Sequence, residues 1–392
     1  MKWSKKGHEF DGIAKELLQS FSDKQKKIFI FGAGLIGMDL KKVFERAGYF
    51  AGFIDNNKEK QRTGAGGASV VSLQDYLAGE DTGLIIIAAD IRNIPAITDQ
   101  LCKADLNEGK DFFIYDKFMD KVFPILLAYD KNMLYVDLAQ ICLTERCSLK
   151  CKKCAHGCYA VDAESQDMSP SAVKRSADSF FGKVDFIREF VLIGGEPFLY
   201  ADLDSAIEYI GEKYRDKMRI FSITTNGTIM PQQNTLELCK KYDMLIRISN
   251  YSGTIKRLEE KYRQLQNRLE ENQVSYAIGD KELQWMDYGF ETVDRKWNTK
   301  ELIQVFDKCK TPCREIRDSK YYFCVMARSV SDNLKMGLGR DDFLDLEQLG
   351  DEDKKIFLEF QFGYSDKGYL DMCNHCNGAD AIKHPILAAE QL

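Results

Sequence analysis

Long apolar runs are missing from this 392-residue chain, and the best candidates, residues 84–89 and 123–128, are far too short to span a bilayer. No membrane partner is expected. Positive charge is not in excess either: 55 Lys and Arg stand against 61 Asp and Glu, for a formal net charge of −6. A protein devoted to duplex nucleic acid carries a basic footprint, so no nucleic-acid partner is expected. The first ten residues are charged and lack the apolar stretch of a secretion signal, so the expected location is cytoplasmic. Proline is scarce, at 7 residues, and no internal repeat or low-complexity tract is visible. What is present is ordinary for globular proteins, with 44% hydrophobic and 30% charged residues. The length suits two or three domains.

The unusual feature is cysteine. Twelve would suggest disulfides in a small secreted protein, but here most fall into groups, 147/151/154/158 and 309/313/324 with 373/376. In a reducing cytosol such grouping points to metal ligation. Cys102, Cys142 and Cys239 stand alone in apolar segments and are expected to be buried small hydrophobes. Within the run 144–154, Cys147, Cys151 and Cys154 are separated by three residues and then by two. A [4Fe–4S] cluster needs four ligands, so three thiolates from one loop leave one iron open to chelate something else. The alternative, a zinc knuckle, usually draws on paired Cys or His from two places.

Apolar periodicity divides the chain into three blocks. After an amphipathic helix carrying Phe10, Ile13, Leu17 and Phe21, residues 27–31, 50–54, 85–88 and 112–115 read as strands, with a helix to about residue 47 and another at 94–101. This alternation implies a parallel, doubly wound sheet. The second block has strands at 137–143, 190–194, 218–225, 245–249 and 274–278, separated by helices at 171–181, 203–214 and 252–271. The last helix has Leu258, Tyr262, Leu265 and Leu269 on one face; it is too short to prefer a coiled coil over a barrel's outer helix. Repeated β/α units suggest an open, TIM-like barrel with function at the C-terminal strand ends. The third block, from about residue 302, shows no sustained periodicity, and its acidic stretch 341–360 reads as a helix. The expected class is therefore α/β, comprising an N-terminal Rossmann-like parallel sheet over residues 1–120, a central partial (β/α)6 TIM-like barrel over 135–300, and a small irregular cysteine-bearing C-terminal domain over 301–392.

The cysteine loop resembles the signature of the radical S-adenosylmethionine (radical SAM) enzymes, whose open iron binds the amino and carboxylate groups of SAM. Gly194-Gly195-Glu196-Pro197, closing the second barrel strand, is similar to that family's glycine–glycine–glutamate–proline motif. There the backbone and carboxylate are implied to hold the SAM amino group. Two glycines allow close approach of the backbone to a ligand, and proline stiffens the turn. Thr225 and Asn226, in Thr224-Thr225-Asn226-Gly227, and Ser249 with Asn250 occupy positions where the family contacts the SAM ribose and carboxylate, although such residue pairs are also common in turns. The resemblance departs at Lys153, where the family often has an aromatic residue, so adenine packing is expected to come from elsewhere. Cys158 and His156 lie close enough to offer a fourth ligand. That would close the cluster and block SAM, leaving the other motifs without a purpose. The resemblance implies reductive cleavage of SAM to a 5′-deoxyadenosyl radical that abstracts hydrogen from a substrate, fed by an electron donor such as flavodoxin or ferredoxin.

In the tail, Cys309, Cys313, Cys324, Cys373 and Cys376 resemble the SPASM/twitch extensions of radical SAM enzymes, which hold auxiliary [4Fe–4S] clusters. Ser319 stands where the family usually has glycine. A full SPASM domain needs more cysteines, so one auxiliary cluster is expected, with Cys309, Cys324, Cys373 and Cys376 fitting best and Cys313 as the alternative to Cys309. Four thiolates also suit zinc. At the N-terminus, Gly32, Gly34 and Gly37 form a Gly-x-Gly-x-x-Gly between a strand and a helix, and Asp55 ends the next strand. That is the context a dinucleotide site requires, with NAD or another nucleotide as candidate ligand. A scaffold without ligand is the alternative, and the block also resembles small Rossmann-like modules of polysaccharide-biosynthesis proteins.

The expected function is that of a radical SAM oxidoreductase-type enzyme acting on a sugar, aminocyclitol or nucleotide-sugar substrate. A second reading is a peptide-modifying maturase, and a third is a non-enzymatic iron–sulfur or zinc regulator. Arg247, Asp287 and Tyr288, near late strand ends, are candidate substrate contacts.

Overall fold

The computed structural model describes residues 1–80, 83–161, 167–350 and 352–392. They fall into two compact units, one of His8–Tyr135 and one of Met1–Gly7 with Val136–Leu392.

In the first unit, β1 (Ile28–Phe31), β2 (Phe50–Ile54), β3 (Val70–Val71), β4 (Leu84–Ile87) and β5 (Phe112–Ile114) form an all-parallel sheet of order β3-β2-β1-β4-β5. Strands β1 and β4 are buried along their whole length, which is why they read as continuous apolar runs. Phe29, Phe31, Ile85 and Ile87 pack with Ile97 and Leu101 of the helix Ile94–Cys102. Cys102 ends that helix and is exposed, contrary to expectation, because the apolar stripe runs through Ile97 and Leu101; Cys142 and Cys239 are buried.

The second unit carries β6 (Tyr135–Cys142), β7 (Phe186–Ile193), β8 (Met218–Thr225), β9 (Met244–Ile248) and β10 (Ser275–Ile278), then a short β11 (Gln284–Met286). From the C-terminal block come β12 (Glu315–Arg317), β13 (Lys320–Tyr322), β14 (Phe343–Asp345) and β15 (Pro385–Leu387). The main sheet has order β10-β9-β8-β7-β6-β12-β13-β14. Pairs β7–β8, β8–β9 and β9–β10 are parallel. The outer helices follow the apolar stripes: Leu258–Glu271 buries Leu258, Tyr262, Leu265 and Leu269.

The sheet is thus composed differently from the expected six-unit barrel. Five strands come from the central block, and a sixth parallel strand, β12, comes from the C-terminal block and pairs with β6. That block is not wholly irregular, because β12, β13 and β14 continue antiparallel from it. Strands of three residues are too short to show a period. The β12–β13 turn puts Asp318 at φ 49° and Ser319 at φ 59°. Both central residues of such a hairpin turn need positive φ, which explains why glycine is the usual occupant. The helix expected over 341–360 is confined to Lys354–Gln361, and β14 takes part of the remainder; residue 351 lies outside the described residues. Among the described residues no helix is long and apolar enough to cross a membrane.

Candidate active site

The C-terminal ends of β6, β7, β8 and β9 bring the sequence motifs together, as parallel β/α sheets do. The loop after β6 supplies the cysteines. Arg146 fastens it, donating to the Asp167 carboxylate at 3.0 and 2.5 Å and to the Leu199 carbonyl at 2.9 Å. Glu145, in the same loop and buried, meets Arg328 at 2.7 Å, and Asn333 donates both to Glu145 (3.0 Å) and to the His156 carbonyl (2.7 Å). Arg328 also meets buried Glu315 at 2.5 Å. The C-terminal block therefore braces the cysteine loop, a role with no signal in the sequence.

A cavity of about 430 Å³ opens at these strand ends. Cys147, Cys151, Cys154, Gly194, Gly195, Thr225, Asn226 and Ser249 line it, together with Cys158, His156, Lys153, Tyr251, Trp285, Met286 and Tyr288. The glycines are there because nothing larger fits. A Cβ on Gly194 would sit 2.5 Å from the Thr144 carbonyl oxygen, and one on Gly195 would sit 2.3 Å from that of Arg146 and 2.8 Å from Cys147 Cβ. Gly195→Ala is accordingly expected to push the cysteine loop out of place. Iron retained after anaerobic reconstitution should drop by about four per chain, with secondary structure intact by circular dichroism; unchanged iron would show that the loop yields freely.

Glu196 does not line the cavity. Fully buried, it accepts from Thr225 Oγ1 at 2.8 and 2.9 Å, from the Asn226 amide at 2.9 Å and from the Phe198 amide at 3.1 Å. Burial pushes its carboxyl up to about 7 against those hydrogen bonds. In this state Glu196 props the Thr225–Asn226 turn. Pro197 starts the short turn that follows and is also buried. Asn226 in turn donates to Cys147 Sγ at 3.4 Å and to Ser148 Oγ at 3.1 Å. Asn250 lies outside the lining, its Oδ1 accepting from the Ser252 amide and hydroxyl at 3.1 and 2.7 Å.

Lys153 reaches Glu291 at 3.3 Å and Asp287 at 3.7 Å, tying the cysteine loop to the segment after β11. Aromatic surface comes instead from Tyr251 and Trp285, packed edge to face at 5.5 Å. Arg247 is engaged with Glu189 at 2.6 Å and is absent from the lining. Burial raises the Cys147 thiol to about 11 and that of Cys151 to about 12. Cys154 and Cys158 hydrogen-bond one another, which favours the Cys154 thiolate at the expense of Cys158. Among the described residues no three His, Cys, Asp or Glu side chains gather around the position of a single metal ion.

A second cavity of about 330 Å³ is lined by Cys309, Cys324, Cys373 and Cys376, and not by Cys313. Cys309 caps the helix Thr299–Lys308, and Arg295 brings the other cysteines to it. Its guanidinium meets Glu301 of that helix at 2.6 Å and donates to the carbonyls of Cys373 (3.2 Å) and Cys376 (2.8 Å). The Gly378 amide donates to Cys376 Sγ at 3.2 Å. Met286 and Tyr288 line both cavities.

In the first unit, Gly32, at φ 118°, and Gly37 make a turn too tight for side chains: a Cβ on Gly37 would lie 2.0 Å from the Gly32 carbonyl oxygen. Gly34 caps the following helix. Asp55 accepts from the amides of Ala33 and Asn57, both at 2.9 Å, and from Lys60 at 3.1 Å. Burial raises its carboxyl, but these bonds outweigh burial and hold it below the usual range. Its oxygens thus serve the glycine loop itself.

Residues 141–276, which carry the first cavity's cysteines, glycines and strand-end hydroxyls, match the model of the Radical SAM superfamily. This segment is a radical SAM domain. The family implies an enzyme that uses a [4Fe–4S] cluster and SAM. The set of side chains fits: the three thiols, the two glycines and the Thr225, Asn226 and Ser249 side chains converge on one cavity. No curated protein matches the chain in sequence. Among solved structures, the chain is similar to BtrN in complex with AdoMet and 2-DOIA, with 15% identity, TM-score 0.41, and coverage of 66% of this chain and 97% of that one. It is also similar to anSMEcpe with bound AdoMet and the Cp18Cys peptide (16% identity, TM-score 0.31, covering 37% of this chain and 42% of that one). A third is Streptococcus suis SuiB bound to S-adenosylmethionine (17%, TM-score 0.31, 48% of this chain and 44% of that one). The chain spans less than half the length of the last two.

Proposed function

We propose that this protein is a radical SAM enzyme that oxidises a small polar substrate of the sugar, aminocyclitol or nucleotide-sugar type, with an auxiliary iron–sulfur cluster as electron acceptor. The observation that carries the reading is the pair of cysteine-lined cavities with Met286 and Tyr288 common to both walls. Cys147, Cys151 and Cys154 would hold the cluster that binds SAM, and Cys309, Cys324, Cys373 and Cys376 an auxiliary one in a SPASM/twitch-like extension. With both groups bound, the chemistry supplied is reductive cleavage of SAM and removal of a hydrogen atom from the substrate.

The residues of this chain do the rest. Gly194 and Gly195 let the backbone approach the SAM amino group. Thr225, Asn226 and Ser249 offer hydroxyl and amide partners for its polar atoms. Tyr251 and Trp285 give an apolar wall that excludes water from the reacting centre. Oxidation of a carbinol to a carbonyl removes two electrons and two protons: the abstracted hydrogen atom accounts for one of each, a proton leaves to solvent, and the second electron needs an acceptor beyond the shared wall.

The test is anaerobic incubation of the reconstituted protein with SAM, reductant and a panel of deuterated aminocyclitols and sugar nucleotides. The expected result is about eight irons per chain, substrate-stimulated 5′-deoxyadenosine carrying deuterium, and a product two mass units lighter than its undeuterated parent. Deuterium transfer only from peptides would replace the substrate class with the maturase reading. Zinc without SAM cleavage would replace the whole reading with a regulator.

A further inference from the structure

The chain's last residues lie against the cysteine loop. Cys151 and Gln391 form an antiparallel bridge, the Lys152 amide donates to the Glu390 carbonyl at 2.7 Å, and the Leu392 amide donates to that of Lys150 at 2.9 Å. Lys152 Nζ also meets the Glu390 carboxylate at 2.6 Å. Within this small ladder the Gln391 side chain is held on both ends. Its Oε1 accepts from the Lys150 amide at 3.0 Å, and its Nε2 donates to the Ala389 carbonyl at 2.8 Å and to Cys151 Sγ at 3.2 Å. A flipped amide would set Oε1 against the Ala389 oxygen and the Cys151 sulfur and Nε2 against the Lys150 N–H, so the partners select the orientation that points N–H at sulfur. Cys151 is only 7% exposed, which leaves little room for water to take over that bond.

We infer that Gln391 is a positioning residue for the SAM-binding cluster, donating a hydrogen bond to the Cys151 thiolate and thereby raising the cluster's reduction potential. The inference rests on the SAM-cleaving reading above. A donor aimed at a ligand sulfur interacts more strongly with the more negative, reduced cluster than with the oxidised one, and so favours electron uptake. The backbone ladder of Lys150, Lys152, Glu390 and Leu392 keeps the donor in place without help from the side chain.

The Gln391→Met and Gln391→Glu variants, reconstituted anaerobically, provide the test. Methionine keeps the volume and loses the donor; glutamate keeps an acceptor for the Lys150 amide and adds an anion beside sulfur. The quantity read is the midpoint potential of the electron paramagnetic resonance signal that responds to SAM, together with iron content. Both variants are expected to keep the parent's iron and to titrate at more negative potential, glutamate furthest. Midpoints equal to the parent's would overturn the inference, as would loss of iron accompanied by new tryptic cleavage at Lys150 or Lys152, which would make the tail a fastening and nothing more. A parent protein with no SAM-responsive signal would instead refute the SAM-cleaving reading, and the inference with it.

Discussion

Cys151→Ala is expected to reduce 5′-deoxyadenosine formation to the background of chemical reduction. Cys147, Cys151 and Cys154 come from one loop, so removing the middle thiol leaves two ligands for a cluster that already has one open corner. Cys158 and His156 line the same cavity and are the groups that compete to replace it. Cys158 is buried and hydrogen-bonded to Cys154, so recruiting it would mean breaking that pair. Iron content should fall by about four per chain while the auxiliary cysteines keep theirs. Liquid chromatography of anaerobic SAM incubations, with iron assayed on the same sample, reads both quantities. Cleavage at the parent rate would remove the cysteine loop from the chemistry.

Cys376→Ala is expected to separate SAM cleavage from product formation. Cys376 faces the second cavity, on the far side of Met286 and Tyr288, and does not line the first. Slow 5′-deoxyadenosine release should therefore persist, with product lost and iron again lower by about four per chain. Cys313→Ala is the matched control. Cys313 lies outside the cavity that gathers Cys309, Cys324, Cys373 and Cys376, so both iron and product should match the parent. Full turnover by the Cys376 variant would refute an electron-accepting tail. Loss of product in the Cys313 variant would replace Cys309 as ligand.

The parallel strands were legible because each is a continuous apolar run between turn residues; β2 and β8 match the expected bounds residue for residue. The three-residue strands of the C-terminal block were not, since hydrophobic periodicity needs more length than they have. Glu196 shows a different limit. Its place in a motif could be read, but the direction of its carboxylate, toward Thr225 and Asn226 and away from the cavity, depends on the packing of β7 beside β8. Lys153 was visible as a departure from the family pattern, whereas its partners Asp287 and Glu291 lie more than a hundred residues on and carry no local signal. Arg328 and Gln391 belong to the same class, because each meets the cysteine loop only through the folded chain.

The spacing of cysteines and glycines along the chain carried the resemblance to the radical SAM family, because thiols from one loop are placed by local geometry that needs no distant partner. Spacing already favoured Cys309 over Cys313 beside Cys324, Cys373 and Cys376, and the fold lines one cavity with those four; tertiary structure alone decided that residues 390–392 reach the Cys151 loop. The reason is physical. Burial and hydrogen bonding between segments as much as 241 residues apart are properties of the packed molecule, and no local pattern of residues encodes them.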